Sequence, residues 1–117
     1  MRILFVDDDA QVRRSTGRLL RHQGHEVIDA SDGEAALQLY EQHRPNVVML
    51  DLEMPGLSGE ETLTRLRAHD PEAVVVVVTG HRSPADERRL RNGGACAVVH
   101  KPWRLDALLE TLENAGR

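Results

Sequence analysis

Five short apolar runs recur along the chain: ILFV at 3–6, EVIDA at 26–30, NVVML at 46–50, AVVVVVT at 73–79 and CAVVH at 96–100. The third and fourth do not alternate with polar residues. Continuous Val-rich runs of this length belong to strands buried on both faces, as in a parallel sheet covered by helices. Five consecutive valines at 74–78 strengthen that reading, because β-branched side chains disfavour helix and fit a pleated surface.

Between the runs the apolar period changes to that of a helix. Val12, Thr16, Leu19 and Leu20 share one face of a first helix, which Gly24 stops. Ala35, Ala36, Leu39 and Tyr40 mark a second, ended before Pro45. Ser58 and Glu61 have the spacing of a capping box that opens a third, with Leu63 and Leu66 inward. Ser83, Pro84 and Asp86 open a fourth and Gly93 closes it. Leu105, Leu108, Leu109 and Leu112 form the stripe of a fifth. The fourth helix carries one large apolar residue, Leu90, among Asp86, Glu87, Arg88, Arg89 and Arg91, so it is expected to be thinly attached.

Strand and helix therefore alternate five times. Right-handed crossovers turn that order into an α/β fold: a single doubly wound (βα)5 domain over 1–117, with a five-stranded parallel sheet of order 2-1-3-4-5. Ligands of such sheets bind beyond the carboxyl ends of the strands, near the switch point between strands 1 and 3.

Length and composition agree with one domain. The chain has 117 residues, 40% of them hydrophobic, and one each of Phe, Trp and Tyr, so its core is aliphatic. A net charge of −4 points away from nucleic acid or an anionic membrane as the main partner. The single Cys96 rules out an internal disulfide, and its apolar setting predicts packing as a small hydrophobe. No apolar run approaches the roughly 20 residues of a membrane span, and the acids at 7–9 cut short any leader-like start. A cytoplasmic protein is the expectation.

The candidate chemistry follows the strands. Asp7, Asp8 and Asp9 come after the first, Asp51 after the third, Thr79 ends the fourth, and Lys101 with Pro102 ends the fifth. Lys101 is the only lysine, beside fourteen arginines, which suggests a site needing a compact ammonium on a flexible stem rather than a planar fork. Carboxylates ~4 Å apart repel by roughly 4 kcal/mol per pair at an effective dielectric near 20, so the cluster calls for a cation. All-oxygen ligands suit Mg²⁺ or Mn²⁺, completed by phosphate oxygens. A lysine and a hydroxyl opposite such an ion could receive a phosphoryl group, with Asp51 as the nucleophile. Each feature alone has a plainer reading: a helix cap for the Asp pair, a turn for Asp51, a strand end for Thr79.

Taken together, ILFVDDDAQVR, VVMLDLEMPGLSGEE, VVVVVTGH and VVHKPW resemble the receiver domain of two-component response regulators, the CheY-like superfamily, over nearly the whole chain. The resemblance implies Mg²⁺ at Asp7 and Asp8, phosphorylation of Asp51, and a further metal ligand in the main-chain carbonyl of Glu53. It implies phosphate contacts from Thr79 and Lys101 and a cis bond between Lys101 and Pro102. The positions of Glu53 and His81 are those that tune dephosphorylation. The implied donor is a phosphohistidine on a sensor histidine kinase or a histidine phosphotransfer protein. The implied output is a change of the face formed by the fourth helix, fifth strand and fifth helix, read by an effector domain or protein, with no membrane partner and no direct DNA binding. Such a domain is not an enzyme beyond Mg²⁺-dependent self-phosphorylation and autodephosphorylation.

One position departs from the family: Val98 stands where an aromatic switch residue is usual. That leaves a phosphorylation-independent interaction module as the alternative. An aspartyl phosphatase of the haloacid dehalogenase type fits less well, since DLE at 51–53 lacks its Asp-x-Asp, and an FMN or cobalamin domain would meet repulsion from the three aspartates.

Overall fold

A computed structural model describes residues 1–54, 58–80 and 83–117. Its elements run β1 (Arg2–Val6), α1 (Ala10–His22), β2 (Glu26–Ala30), α2 (Gly33–His43), β3 (Val47–Asp51), α3 (Gly59–His69), β4 (Val75–Thr79), α4 (Pro84–Asn92), β5 (Ala97–His100) and α5 (Leu105–Ala115). The strands form one sheet of order β2-β1-β3-β4-β5, every pair parallel. This is the CheY-like flavodoxin fold, in the strand order expected from the alternation of runs.

The two faces of the sheet are distinct. Ile3, Phe5, Val47, Met49, Val76 and Val78 pack with Leu20 of α1 and Leu108 and Leu112 of α5. Leu4, Val6, Val48, Leu50, Val75 and Val77 pack on the other side with residues of α2, α3 and α4. β3 and β4 are buried at every position, as continuous apolar runs require.

Helix starts follow local capping chemistry. Asp9, Asp32, Ser58 and Ser83 each accept a main-chain N–H from the first turn that follows. These contacts satisfy amides that have no partner inside the helix. α4 buries Leu90 alone among its residues. Its exposed Arg89 pairs with Asp86 on the same helix and with Glu60 on α3. Among the described residues no helix is long and apolar enough to cross a membrane.

Two expectations need correction. Leu19 is 40% exposed, because Thr16, Gly17 and Leu20 form the contact line of α1 and Leu19 falls beside it. Cys96 is exposed rather than packed; it precedes β5, which begins at Ala97.

Candidate phosphoacceptor site

Period-two alternation carries the site out of the sheet. Asp7 continues the side that holds Ile3 and Phe5, Asp51 the side of Met49, and Lys101 the side of Ala97 and Val99. All three therefore leave their strands toward α1 and α5. They line a cavity of about 610 Å³ with Asp8, Glu53 and Trp103 among its other walls. Thr79 belongs to the opposite alternation and lines a smaller cavity of about 250 Å³ toward α4, with Leu52, Arg89 and Leu90. Glu53 lines both.

Asp7, Asp8 and Asp51 bring one carboxylate oxygen each to within 4.8 Å of one another. Asp7 and Asp51 are buried and Asp8 is exposed. Asp9 turns away to cap α1, accepting from Gln11 and Val12. Its own N–H donates to Asp7 Oδ1 at 2.9 Å, which orients that carboxylate. Burial is the main cause that raises the Asp7 carboxyl above its usual range. The convergence, the exclusion of Asp9 and, among the described residues, the all-oxygen donor set of the cluster suit a hard divalent cation.

The cationic wall is Lys101. Its ammonium donates to Asp51 Oδ1 at 2.9 Å and to Glu53 Oε2 at 3.3 Å. The Lys101–Pro102 peptide is cis, as expected, and Lys101 N–H donates to the Thr79 carbonyl at 2.9 Å. Burial works against the ammonium, yet the Asp51 and Glu53 carboxylates hold its pKa above the ordinary lysine value. Burial dominates at Asp51 and pushes it up to about 6, despite the Lys101 hydrogen bond that works in the opposite direction. A desolvated carboxylate with one cationic partner is a stronger nucleophile than one in water.

Glu53 occupies more of the site than a main-chain role implies. Its Oε1 accepts the Thr79 hydroxyl at 3.1 Å and the Gly80 N–H at 2.9 Å, while Oε2 receives Lys101. Its N–H donates to Asp51 Oδ1 at 3.2 Å. Burial would raise its pKa, but the Gly80, Asp51, Thr79 and Lys101 hydrogen bonds outweigh that and hold the carboxyl far below the usual range. The structure thus brings together Asp7, Asp8, Asp51, Glu53, Thr79 and Lys101, with the Thr79 hydroxyl on Glu53. His81 lies outside the described residues. Val98 is partly buried against the α2–α4 side of the core, and the neighbouring His100 comes within 3.8 Å of Glu87 on α4.

Gly59 is a site residue that the sequence reading missed. A Cβ there would stand 2.5 Å from Leu52 Cα and 2.8 Å from the Asp51 carbonyl oxygen. The first turn of α3 therefore lies directly on the backbone that carries Asp51. The signal was present: a glycine directly after the capping Ser58, in a first helical turn where local propensity alone favours almost any other residue.

A doubly wound parallel sheet with an acidic cluster, a lysine and a hydroxyl at its carboxyl edge carries its candidate site where this class of fold binds ligands. Comparison with known proteins makes the assignment specific. A family model described as the response regulator receiver domain matches residues 3–113. The transcriptional regulatory protein PdtaR of Mycobacterium tuberculosis is 32% identical over 115 residues, covering 97% of this chain and 56% of that protein. The response regulator MprA of Mycobacterium leprae is 38% identical over 109 residues, covering 93% of this chain and 48% of its own length. The chemotaxis protein CheY4 of Vibrio cholerae superimposes with a TM-score of 0.91 at 28% identity, over 97% of each chain. The chain belongs to the response regulator receiver family. It spans about half the length of these two curated relatives.

Proposed function

We propose that this chain, over 1–117, is a phosphoacceptor signalling domain of a two-component phosphorelay and that Asp51 takes the phosphoryl group. The observation that carries the reading is the buried Asp51 carboxylate, set 2.9 Å from the lysine ammonium and within the three-carboxylate cluster.

The donor is a phosphohistidine of a sensor kinase or a phosphotransfer protein. A carboxylate oxygen of Asp51 attacks phosphorus. The P–O bond forms as the P–N bond breaks, and the bonding pair returns to the imidazole nitrogen, which takes up a proton. Asp7, Asp8 and Asp51, with the Glu53 main-chain carbonyl, would hold Mg²⁺ or Mn²⁺, which when bound offsets the charge of the phosphoryl oxygens. Lys101 turns from the free carboxylate toward the arriving group, which its compact ammonium and flexible stem allow. Thr79 donates its hydroxyl to a phosphoryl oxygen. Glu53 and His81 govern the lifetime of the aspartyl phosphate. The changed surface is α4-β5-α5, presented to an effector domain or protein. A solution or cytoplasmic setting follows from such partners.

Mass spectrometry after incubation with Mg²⁺ and acetyl phosphate tests the reading. The expected result is a gain of one phosphoryl group, absent in Asp51→Asn. No gain would favour a phosphorylation-independent interaction module, for which the replacement of the usual aromatic by Val98 speaks. Steady turnover of many phosphomonoesters would favour a phosphatase.

A further inference from the structure

Among the described residues, three donors at the carboxyl edge converge on one anion that the chain itself provides. The Thr79 hydroxyl, the Gly80 N–H and the Lys101 ammonium come from two strand ends and a loop, and all meet the Glu53 carboxylate at 3.1, 2.9 and 3.3 Å. A hydroxyl, a main-chain amide and an ammonium together form a donor set for a tetrahedral oxyanion. Glu53 reaches them across the sheet edge, from the larger cavity into the smaller one. Gly59, packed on the Asp51–Leu52 backbone, fixes the start of the loop from which Glu53 extends.

We propose that the Glu53 carboxylate is a resident stand-in for the phosphoryl group: it holds the Thr79, Gly80 and Lys101 donors in place and must leave them when Asp51 is phosphorylated. The inference rests on the phosphoacceptor reading of Asp51 and adds a regulatory step to it. Glu53 acts as a positioning residue, through Thr79, Gly80 and Lys101. In the resting domain the Thr79 hydroxyl is already drawn onto an anion at the sheet edge. Phosphorylation exchanges one anion for another at those donors, and the group that moves is Glu53. A receiver built this way needs no aromatic side chain on β5 to follow Thr79, which accounts for Val98. Glu53 also competes with the phosphoryl group, so affinity for it is lower than the donor set alone would provide.

Two variants separate the stand-in from simple charge repulsion. Glu53→Ala removes the anion. Glu53→Asp keeps the charge but shortens the side chain by one methylene, so it no longer spans Thr79, Gly80 and Lys101 together. In protein free of metal, the amide resonance of Gly80 is expected to shift in both variants. With Mg²⁺ and beryllofluoride as the phosphoryl probe, both are expected to bind the probe about five- to tenfold more tightly than the wild type. On addition of the probe, the Gly80 resonance should move less in the wild type than in Glu53→Ala, because the wild-type donors already face an anion. An unshifted Gly80 resonance in both variants overturns the clamp. Tighter binding in Glu53→Ala with none in Glu53→Asp reduces Glu53 to a source of repulsion and overturns the stand-in. Failure of wild type and variants alike to bind beryllofluoride overturns the phosphoacceptor reading, whereas wild-type binding that equals both variants overturns only the competition by Glu53.

Discussion

Gly59 packs so closely on Asp51 that a single added carbon at residue 59 would stand 2.8 Å from the Asp51 carbonyl oxygen. The spacing leaves no room for a methyl group, and the two nearest atoms it would meet are backbone. Gly59→Ala is therefore expected to displace the strand end that carries Asp51. The expected cost is about 1–3 kcal/mol of stability, the usual range for overpacking. Denaturant unfolding checks it, and the rate of phosphorylation by acetyl phosphate should fall in parallel. Unchanged values for both would show that the loop yields without consequence.

The 2.9 Å pairing of Lys101 with Asp51 leads to a second expectation. Lys101→Arg keeps the fold, since the side chain is 38% exposed and has room at its end. The guanidinium fork engages the free carboxylate more firmly and follows an arriving group less well. Phosphorylation is expected to fall by about tenfold, equivalent to ~1.4 kcal/mol. A variant with the wild-type rate would mean that any cation serves.

Asp51 also bears on stability. Its carboxyl is raised from an ordinary 3.8 to about 6, chiefly by burial. A raised carboxyl gives stability that is fully present below the unfolded value and is lost as pH rises through the folded one. At pH 7 without metal, the charged form is thus a burden on the fold. Asp51→Asn should be the more stable protein there, by on the order of 2 kcal/mol or less. That advantage should shrink as pH falls from 6 toward 4. Thermal melts across this range test it; an Asn variant that is less stable at pH 7 would contradict the sign.

Divalent metal should reverse the same burden. Mg²⁺ bound only to the folded chain raises the melting temperature by mass action. A rise of about 4–8 °C is expected at saturating ion for ~1–2 kcal/mol of linkage. Asp8→Asn should remove most of it, because Asp8 completes the three-carboxylate cluster. An equal rise in that variant would place the ion elsewhere.

The slender attachment of α4 predicts where the domain opens. Leu90 is its buried residue, and truncation to Ala removes that anchor. In Leu90→Ala, hydrogen exchange over 84–92 should accelerate far more than exchange in β1 and β3. Uniform acceleration would mean that α4 unfolds only with the whole domain.

Much of this molecule is legible in the chain. Val-rich runs specify buried strands because only a covered parallel sheet removes such runs from water on both sides. The buried Asp7 and Asp51 and the exceptional Lys101 could be read because each directly ends an apolar run. Other features lie beyond pattern. Leu19 and Leu20 look equivalent in sequence, yet a turn of 100° per residue sends one to solvent. Cys96 looked continuous with the fifth run but stands before its first paired residue, Ala97. Glu53 was read for its main-chain carbonyl and for tuning dephosphorylation, whereas the reach of its side chain to Thr79 and Lys101 depends on how two loops approach one another. No period in the sequence encodes that approach, and the same is true of the contact between Gly59 and Asp51.

The two sides of the sheet have a final consequence. Asp7, Asp51 and Lys101 open toward α1 and α5, whereas Thr79 opens toward α4. A single sheet of five strands, filled mainly with Val, Ile and Leu, stands between those sides, and they meet along its carboxyl edge. The sheet works as a bulkhead. Changes to the outer surfaces of α2, α3 or α4 can accumulate without reaching the carboxylates. Among the described residues Glu53 is the side chain that lines both cavities, so a substitution there reaches both sides at once.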